Sequence, residues 1–347
     1  AEDYYLDMVY YYLGCLLYDR RAYGEAIADY EEAARRYPDF PTVHRNLALA
    51  YYNVKKQPQR AYEEMEKAFA LDETDARVYL ELDQLKKRLN VPVKERWSDM
   101  EKYFDLVESR DDLYLEYVTL LNTLGEPEKA LGLIKARKFH QWEGGEGKVA
   151  AQYLTALYQL AKAAVEKEDY AEAKELLLRA VGEYPHNLGE GKLESGQENN
   201  LYYLLGLVQE KLGEAKDAFE SLTRACCGES EPVGMMYYND QPPEMIYYQG
   251  LAYRMLGEEE QAVRRFQKLV DYGREHIRDD VKIDYFAVSL PDLLIFEENL
   301  NERNRKHCLF MMSLGLKGLG RIDEAEKCAE ELLAMDNAHQ EIRVHDL

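Results

Sequence analysis

The sequence has few prolines, no long apolar run and no charged and then apolar opening stretch, and each absence argues against a class of protein. Only ten prolines occur in 347 residues, and the background is rich in Leu, Ala, Glu and Lys, so the composition predicts helix nearly throughout. No run of 18 apolar residues is present, which argues against a membrane-spanning helix. No charged and then apolar stretch opens the chain, and we therefore expect no retained signal segment.

The cysteines and histidines lack the spacings of metal and catalytic sites. The five cysteines are odd in number and contain no CxxC pair, which argues against a zinc site or a disulfide framework and favours a reducing, cytoplasmic location. The seven histidines include no HExxH pair and no recognisable triad partner. We therefore expect no catalytic residue, no metal and no cofactor.

Positive charge is in the minority. Lysines and arginines number 44 against 66 aspartates and glutamates, which gives a net charge of −22 at pH 7. Such a chain repels phosphate backbones and anionic membrane surfaces. The sequence therefore predicts no nucleic-acid partner and no membrane partner, with most carboxylates on a solvated outer face.

A unit of about 34 residues that starts at residue 7 organises what is present. Counted from Asp7, small residues occupy positions 8, 20 and 27, where two antiparallel helices would approach closely. Large residues at positions 4, 7, 11 and 24 would fill the space around them, and a proline at position 32 would stop the second helix. The residues concerned are Tyr10, Leu13, Gly14, Leu17, Ala26, Tyr30, Ala33 and Pro38.

This pattern resembles the tetratricopeptide repeat, a helix-turn-helix unit. One such unit cannot bury its own apolar faces, so copies must stack. The resemblance implies an all-α fold, a right-handed α-solenoid or superhelix of tetratricopeptide-like helix pairs, which forms a single body over residues 1–347. We place units near 7–40, 41–75, 76–110 (divergent), 111–138, 154–187, 199–232, 243–276 and 306–339, with insertions at 139–150, 188–198, 233–242 and 277–305.

Local signals set the helix boundaries. The KKQPQ turn around Pro58 absorbs an inserted residue, and the divergent unit breaks at residues 90–92. The SLPD capping box predicts a helix start at Ser289, and after Asp336 we expect a frayed tail. The small residues expected to be buried at helix crossings are Ala26, Ala33, Ala173, Ala180, Ala218 and Ala262.

The tetrapeptide GEGK occurs twice, at residues 145–148 and 189–192. A glycine-rich loop before a helix can hold phosphate on its backbone amides, but a GxxxxGK[ST] loop would need glycine where Trp142 and His186 stand. The alternative is that the glycines permit positive φ at helix ends. We expect residues 139–148 to be ordered, with Trp142 packed on the following repeat and His140 or Lys148 near the groove mouth. The loop residues predicted to contact a ligand are His140, Trp142, Glu146, Lys148, Asn239 and Asp240.

The segments between the repeats resemble a narrower group of proteins. FHQWEGGEGKV, NLGEGKLE, YYNDQPPEM and DYFAVSLPDLLIFE resemble the C-terminal helical region of large bacterial proteins. Their N-terminal domain is uncharacterised, β-rich and similar to sugar-mutarotase sandwiches, and these relatives are often predicted to serve carbohydrate breakdown. The resemblance implies a context in carbohydrate metabolism, an N-terminal domain of the same protein as a partner, and a sugar as an alternative ligand.

The leading hypothesis for function is a non-enzymatic scaffold that binds a peptide or a protein through its concave face. An acidic or aromatic-rich peptide, or a sugar acid, would be held by stacking and by charge-assisted hydrogen bonds. Alternatively, the rings only fill gaps between helices. The candidates are position-5 aromatics and cations of the same face: Tyr11, Tyr158, Tyr203, Tyr247 and Phe310, with Arg45, Lys162, Arg254, His307 and Lys317.

The rival hypothesis is an enzyme. Helix-pair repeats can also close into α/α toroids whose centre binds or cleaves glycans, and the 29 tyrosines would then supply sugar-stacking surfaces. The small residues at positions 8, 20 and 27 favour the open solenoid. Glycan hydrolysis by this chain alone would decide for the enzyme.

Overall fold

The computed structural model shows a helical chain that forms two compact units. Unit 1 comprises Ala1–Tyr114 and Leu294–Glu298, and unit 2 comprises Leu115–Leu293 and Asn299–Leu347. No β-strand occurs in the ranges that the structure describes, so the predicted all-α class of tetratricopeptide-like helix pairs is confirmed. The single solenoid over residues 1–347 stays a prediction. The described ranges are 2–142, 144–182, 184–191, 196–234, 240–282 and 295–345, with the backbone alone for residues 2–7.

Unit 1 is built from antiparallel helix pairs whose starts are set by proline and aspartate. Pro41 and Pro58 begin their helices, where the missing N–H group leaves no intrahelical bond unmade. The carboxylate of Asp75 accepts hydrogen bonds from the backbone N–H groups of Arg77 (2.9 Å) and Val78 (3.1 Å), which caps the next helix. The helices are α1 Glu2–Asp19, α2 Tyr23–Arg36, α3 Pro41–Asn53, α4 Pro58–Leu71, α5 Ala76–Arg88, α6 Val93–Lys102 and α7 Phe104–Glu108.

Unit 2 continues the pattern with longer connections, and the unit boundary falls within its first helix. None of the described helices combines the length and the hydropathy that crossing a bilayer requires. A 3-10 turn at His186–Leu188 lies in one of the connections. The helices are α8 Asp111–Thr123, α9 Pro127–Ala136, α10 Lys148–Glu166, α11 Tyr170–Val181, α12 Asn199–Lys211, α13 Ala215–Ala225, α14 Pro243–Met255, α15 Glu259–His276, α16 Leu300–Gly318, α17 Ile322–Met335 and α18 Gln340–His345.

A recurring turn ends the first helix of each pair, namely α1, α3, α5, α8, α10, α12, α14 and α16, which we call the first helices. One residue of each turn has a positive φ, which reverses the chain after the last helical carbonyl groups. Glycine takes this conformation without steric cost, whereas other L-residues do so at a cost of about 1–2 kcal/mol. The residues are Arg21, Lys56, Asn90, Gly125, Glu168, Gly213, Gly257 and Gly320.

Helix pairs are closely packed at the predicted small positions. The six alanines expected at helix crossings are all buried, which confirms the repeat register. At position 8 of one repeat, a Cβ added to Gly250 would lie 2.4 Å from Cε1 of Phe266, the position-24 residue of the same repeat. Gly14 and Gly206 stand in the same relation to Tyr30 and Leu222. Close backbone approach at position 8 is therefore what makes room for the large side chain.

One sequence prediction about the chain end was wrong. The segment after Asp336 does not fray: Gln340–His345 form α18, and Gln340, Ile342, Val344 and His345 are buried. Apolar burial of this short helix offsets the entropy of ordering it. The helix start predicted at Ser289 lies outside the described residues.

Candidate functional site

Aromatic side chains from three first helices of unit 2 form one cluster. Tyr158 of α10 and Tyr248 of α14 share a hydrogen bond of 2.6 Å between their hydroxyl oxygens, and their ring centroids lie 6.2 Å apart. The ring centroids of Tyr203 on α12 and of Tyr247 on α14 each lie 5.5 Å from that of Tyr248. The predicted residues Tyr158, Tyr203 and Tyr247 are thus brought together, with Tyr248 at their centre.

The cluster is covered by α18. The imidazole of His345 lies 5.5 Å from the ring of Tyr158 and 5.5 Å from that of Tyr248, measured between centroids. Its Nδ1 is 3.1 Å from the Tyr248 hydroxyl oxygen. Tyr158 and Tyr248 are consequently almost fully buried. The first-helix face of unit 2 therefore already holds a polypeptide segment.

Polar side chains hold α18 by its ends. The Lys162 ammonium donates to the backbone carbonyl of Val344 at 2.8 Å. At the other end, the amides of Gln152 and Gln340 are paired, with Gln152 Nε2 donating to Gln340 Oε1 at 2.9 Å. Gln340 Nε2 in turn donates to the carbonyl of Thr119 on α8 at 3.1 Å. We call Gln152, Tyr158, Lys162 and Tyr248 the α18 seat. This surface contacts both the backbone and the side chains of α18.

Two titratable groups at the α18 seat are held uncharged. Burial, with a smaller contribution from Lys162, lowers the pKa of His345 to about 3. Burial raises the pKa of Glu244, in the first turn of α14, to about 8, and the negative charge of Glu341 on α18 adds to this rise. Burial also raises the pKa values of Tyr158 and Tyr248. Both shifts favour the uncharged form of His345 and Glu244 at neutral pH.

Comparison with known proteins agrees with the prediction of tetratricopeptide-like repeats. The tetratricopeptide repeat family matches residues 11–76 and 158–232 through one model and residues 244–272 through another. These stretches of the chain are tetratricopeptide repeats.

Several solved structures are similar to this chain at low identity. A tetratricopeptide repeat protein from Parabacteroides merdae ATCC 43184 has 12% identity, with 77% of this chain and 92% of that chain covered and a TM-score of 0.41. The TPR2AB domain of yeast Sti1, in a complex with pHSP90, has 14% identity, 78% and 92% coverage and a TM-score of 0.33. The TPR domain of P58(IPK) has 16% identity, 97% and 76% coverage and a TM-score of 0.23.

The other predicted residues of unit 2 lie around the cluster or away from it. The buried ring of Phe310 on α16 lies 5.1 Å from the imidazole of His339. His307 is half-buried, with Nε2 2.8 Å from the carbonyl oxygen of Val233, and burial lowers its pKa to about 4. Exposed Arg254 pairs with Glu259 at 2.8 Å. Lys317 of α16 is half-buried.

The predicted residues of unit 1 occupy first helices of their own repeats. Tyr11 is half-buried on α1 with its ring centroid 4.9 Å from that of Phe40, and burial, with Cys15 beside it, raises its pKa to about 12. Arg45 on α3 forms two hydrogen bonds of 2.6 Å with the carboxylate of Glu81 on α5. Glu81 is fully buried, so Arg45 neutralises a buried charge between neighbouring repeats.

The two GEGK loops meet in unit 2. The backbone N–H of Gly147, at the start of α10, donates to the Glu190 carboxylate at 2.9 Å. Gly189 lies so close to Phe139 that an added Cβ would be 2.9 Å from its carbonyl oxygen. The Glu190 carboxylate thus occupies the N-terminus of α10, where the phosphate-loop hypothesis would place a phosphate group.

In the described part of the loop of residues 139–148, Phe139 is more deeply buried than Trp142. Phe139 is almost fully buried, and its backbone N–H donates to the carbonyl of Asn187 at 2.8 Å. Trp142 is half-buried and packs on Gly145, where an added Cβ would lie 2.2 Å from the indole. A cavity of about 350 Å³ beside it is lined by His140, Gln141, Trp142, Gly145, Glu146, Val149, Leu188 and Glu190.

The remaining loop predictions lie outside this cavity. Lys148 is exposed at the start of α10, and Asp240 is half-buried. Asn239 lies outside the described residues. Among the residues that the structure describes, no group of three or more His, Cys, Asp or Glu is placed to hold a metal ion.

Sequence reasoning missed Tyr248 and the residues of α18 that cover it. Tyr248 stands next to a predicted tyrosine and was overlooked because only position 5 was considered. His345 and Gln340 follow Asp336, where the sequence predicts a frayed tail, although the apolar residues Ile342 and Val344 of the same segment indicate a buried helix face. In unit 1 a further overlooked residue, Phe296, is fully buried.

Proposed function

We propose that this tetratricopeptide repeat protein is a non-catalytic protein-interaction scaffold, and that the α18 seat binds a peptide segment of a partner in competition with α18. Repeats of this kind build extended concave surfaces for polypeptides. The observation that carries the proposal is the hydrogen bond from Lys162 to the Val344 carbonyl, because a side chain that binds a backbone carbonyl accepts many sequences.

The ligand chemistry follows from what α18 offers to the seat. It buries two apolar side chains, Ile342 and Val344, and ends in the ring of His345. A partner segment would therefore be a short helix with apolar residues followed by an aromatic or imidazole ring. The first-helix tyrosines supply large contact area with few rotatable bonds, which suits recognition.

Because α18 is part of the same chain, it competes with a partner peptide for the α18 seat. A segment joined to its own site has an effective concentration of roughly millimolar, so a partner peptide binds the complete chain more weakly than a chain without α18. The carbohydrate context implied by the sequence resemblance receives no support from the comparisons and stays a prediction.

A truncated chain that ends at Asn337 tests the proposal. A fluorescein-labelled peptide of residues 337–347 should bind this chain with a fluorescence-anisotropy titration that saturates, and should bind the complete chain at least about tenfold more weakly. Where the truncated chain does not fold by circular dichroism, Ile342→Asp in the complete chain displaces α18 through its buried carboxylate instead.

Point variants separate the α18 seat from other surfaces. Lys162→Ala in the truncated chain should weaken peptide binding about tenfold, because it removes a charge-assisted hydrogen bond. Lys211→Ala is the matched control, since Lys211 is an exposed lysine at the end of first helix α12. The proposal is disproved if the truncated chain folds but does not bind the peptide. It is also disproved if Lys162→Ala and Lys211→Ala bind the peptide equally well.

A further inference from the structure

Unit 1 holds a short non-helical segment against the C-terminal ends of two of its first helices, α3 and α5. The segment comprises residues 295–298, which we call the Phe296 segment, and it belongs to unit 1 although it lies far along the chain. Phe296 is fully buried, whereas Glu297 and Glu298 are exposed. The ring of Phe296 meets that of Tyr52 on α3 edge-on, with centroids 5.1 Å apart.

One asparagine holds the segment by its backbone. Asn53, the last residue of α3, donates from Nδ2 to the carbonyl of Ile295 at 2.9 Å. Its Oδ1 accepts from the backbone N–H of Glu297, also at 2.9 Å. These two bonds straddle Phe296, so the amide satisfies the main chain on both sides of the buried ring. Main-chain contacts of this kind fix the direction and the register of a bound peptide without regard to its sequence.

Cations border the same surface. The Arg88 guanidinium, at the end of α5, donates to the carbonyl of Phe296 at 2.9 Å and lies 5.7 Å from the centroid of the Tyr52 ring. Lys56 pairs with the carboxylate of Glu297 at 2.5 Å. Both members of this pair are exposed, so it contributes little binding free energy but favours an acidic residue after the aromatic one.

We propose that Tyr52, Asn53, Lys56 and Arg88 form a second recognition site, which takes a non-helical partner peptide with an aromatic residue followed by an acidic one. The Phe296 segment is its ligand in cis. An incoming peptide replaces Phe296 under the Tyr52 ring, takes the two hydrogen bonds of Asn53 and releases the segment. This site is separate from the α18 seat and does not depend on the function proposed for it.

The anchoring of the segment is small enough for exchange. Among its described residues only Phe296 is buried, and its main chain is held by single hydrogen bonds at Ile295, Phe296 and Glu297. The segment therefore competes mainly through its tether. A partner peptide with the same anchors, present at high local concentration, displaces it.

The test uses the complete chain and a fluorescein-labelled peptide of residues 293–299 (LLIFEEN). Phe296→Ala removes the internal ligand, and the peptide should then bind at least about tenfold more tightly than it binds the unaltered chain. Adding Asn53→Ala should weaken this binding about tenfold or more, because two hydrogen bonds are lost. Adding Asn46→Ala, another half-buried asparagine of α3, should leave it unchanged. A peptide with Ala in place of Phe should not bind.

Folding is checked by thermal melts of each variant. If Phe296→Ala unfolds unit 1, Glu297→Pro opens the site instead, because proline lacks the N–H group that Asn53 accepts. Equal binding to the opened and unaltered chains would overturn the proposal, and so would no binding to a folded, opened chain or indifference to Asn53→Ala. A dimer that becomes monomeric on Phe296→Ala, by light scattering, would make a second copy of the chain the occupant and would overturn it too.

Discussion

At the scale of single residues, glycine at position 8 and a large residue at position 24 act as one packing element. Gly250 lies under Phe266, Gly206 under Leu222 and Gly14 under Tyr30. Each pair brings two helix axes close enough for the large side chain to fill the space between them. The size of the side chain that fits at position 8 is therefore limited by the space beneath the position-24 residue, whatever the helix propensity of the residue.

Gly250→Ala should destabilise unit 2 by about 1–3 kcal/mol, because the added methyl group would lie 2.4 Å from the Phe266 ring. Gly132→Ala is the matched control, since Gly132 is also helical but has open space around an added Cβ. There alanine should stabilise by up to about 1 kcal/mol through helix propensity. Urea unfolding measures the change in the free energy of unfolding for each variant. Equal changes in both variants would show that the contact with Phe266 does not limit the side chain at position 250.

At the scale of elements, the connections are held by side-chain amides. Asn187 donates from Nδ2 to the carbonyls of Ile134 (2.7 Å) and Arg137 (2.9 Å) at the end of α9. These carbonyls belong to a helix end, where no intrahelical partner is available. The backbone carbonyl of Asn187 also accepts a hydrogen bond from the backbone N–H of Phe139. Asn187 therefore joins the two glycine-rich loops.

Asn187→Ala should destabilise this junction by about 1–3 kcal/mol, because two carbonyl groups lose their donor. The loss should appear as faster amide hydrogen exchange at Phe139 and through the loop of residues 139–148. Asn200→Ala serves as the control, since Asn200 is a half-buried asparagine near the start of α12. Unchanged exchange at Phe139 in Asn187→Ala would show that Phe139 burial alone orders the loop.

The docking of α18 should depend on pH through two buried groups with opposite signs. The pKa of His345 falls from 6.5 to about 3, so docking weakens as pH decreases from 6.5, where the free imidazole gains a proton that the docked one cannot hold. The pKa of Glu244 rises from 4.5 to about 8, so docking weakens as pH increases from 4.5 to 8. Between pH 4.5 and 6.5 the two effects oppose each other.

Hydrogen-exchange protection of α18, corrected for intrinsic rates, should therefore be greatest between pH 4.5 and 6.5. Outside this window it should decline by about 1.4 kcal/mol per pH unit until each group titrates. Glu244→Gln should abolish the loss at high pH, and His345→Gln the loss at low pH. A single maximum that neither substitution moves would mean that other groups control docking.

At the scale of the whole molecule, the chain divides into two units, and each contains one of the two tryptophans. Trp97 belongs to α6 of unit 1 and Trp142 to the loop before α10 of unit 2. In stacked repeats each element depends mainly on its neighbours, so separate regions can unfold with separate free energies. Each indole is therefore a reporter of its own unit.

The Trp142→Phe chain should report unit 1, and the Trp97→Phe chain should report unit 2. Met65→Ala and Leu177→Ala each remove a fully buried side chain and should cost about 2–5 kcal/mol. Met65→Ala should lower only the denaturation midpoint seen by Trp97, and Leu177→Ala only that seen by Trp142. Equal shifts of both fluorescence transitions would show one cooperative unit.

The sequence by itself determined the helix pairs, the breaks at Pro58 and residues 90–92, and the burial of the small residues. These features depend on contacts within about 34 residues, so the pattern of side chains along the chain is enough to specify them. The pattern also located the tyrosines of the first helices. It gave no means of knowing which of them are covered.

Only the tertiary structure decided what fills the first-helix faces. Asn53 meets Ile295 across 242 positions of the chain, and Gln340 meets Thr123 across 217. No local pattern encodes such a pairing, because it depends on where the stacked helices bring remote segments, and loop-closure entropy grows too slowly with length to forbid it. The same holds for the two GEGK loops, whose meeting at Gly147 and Glu190 depends on the repeat folded between them.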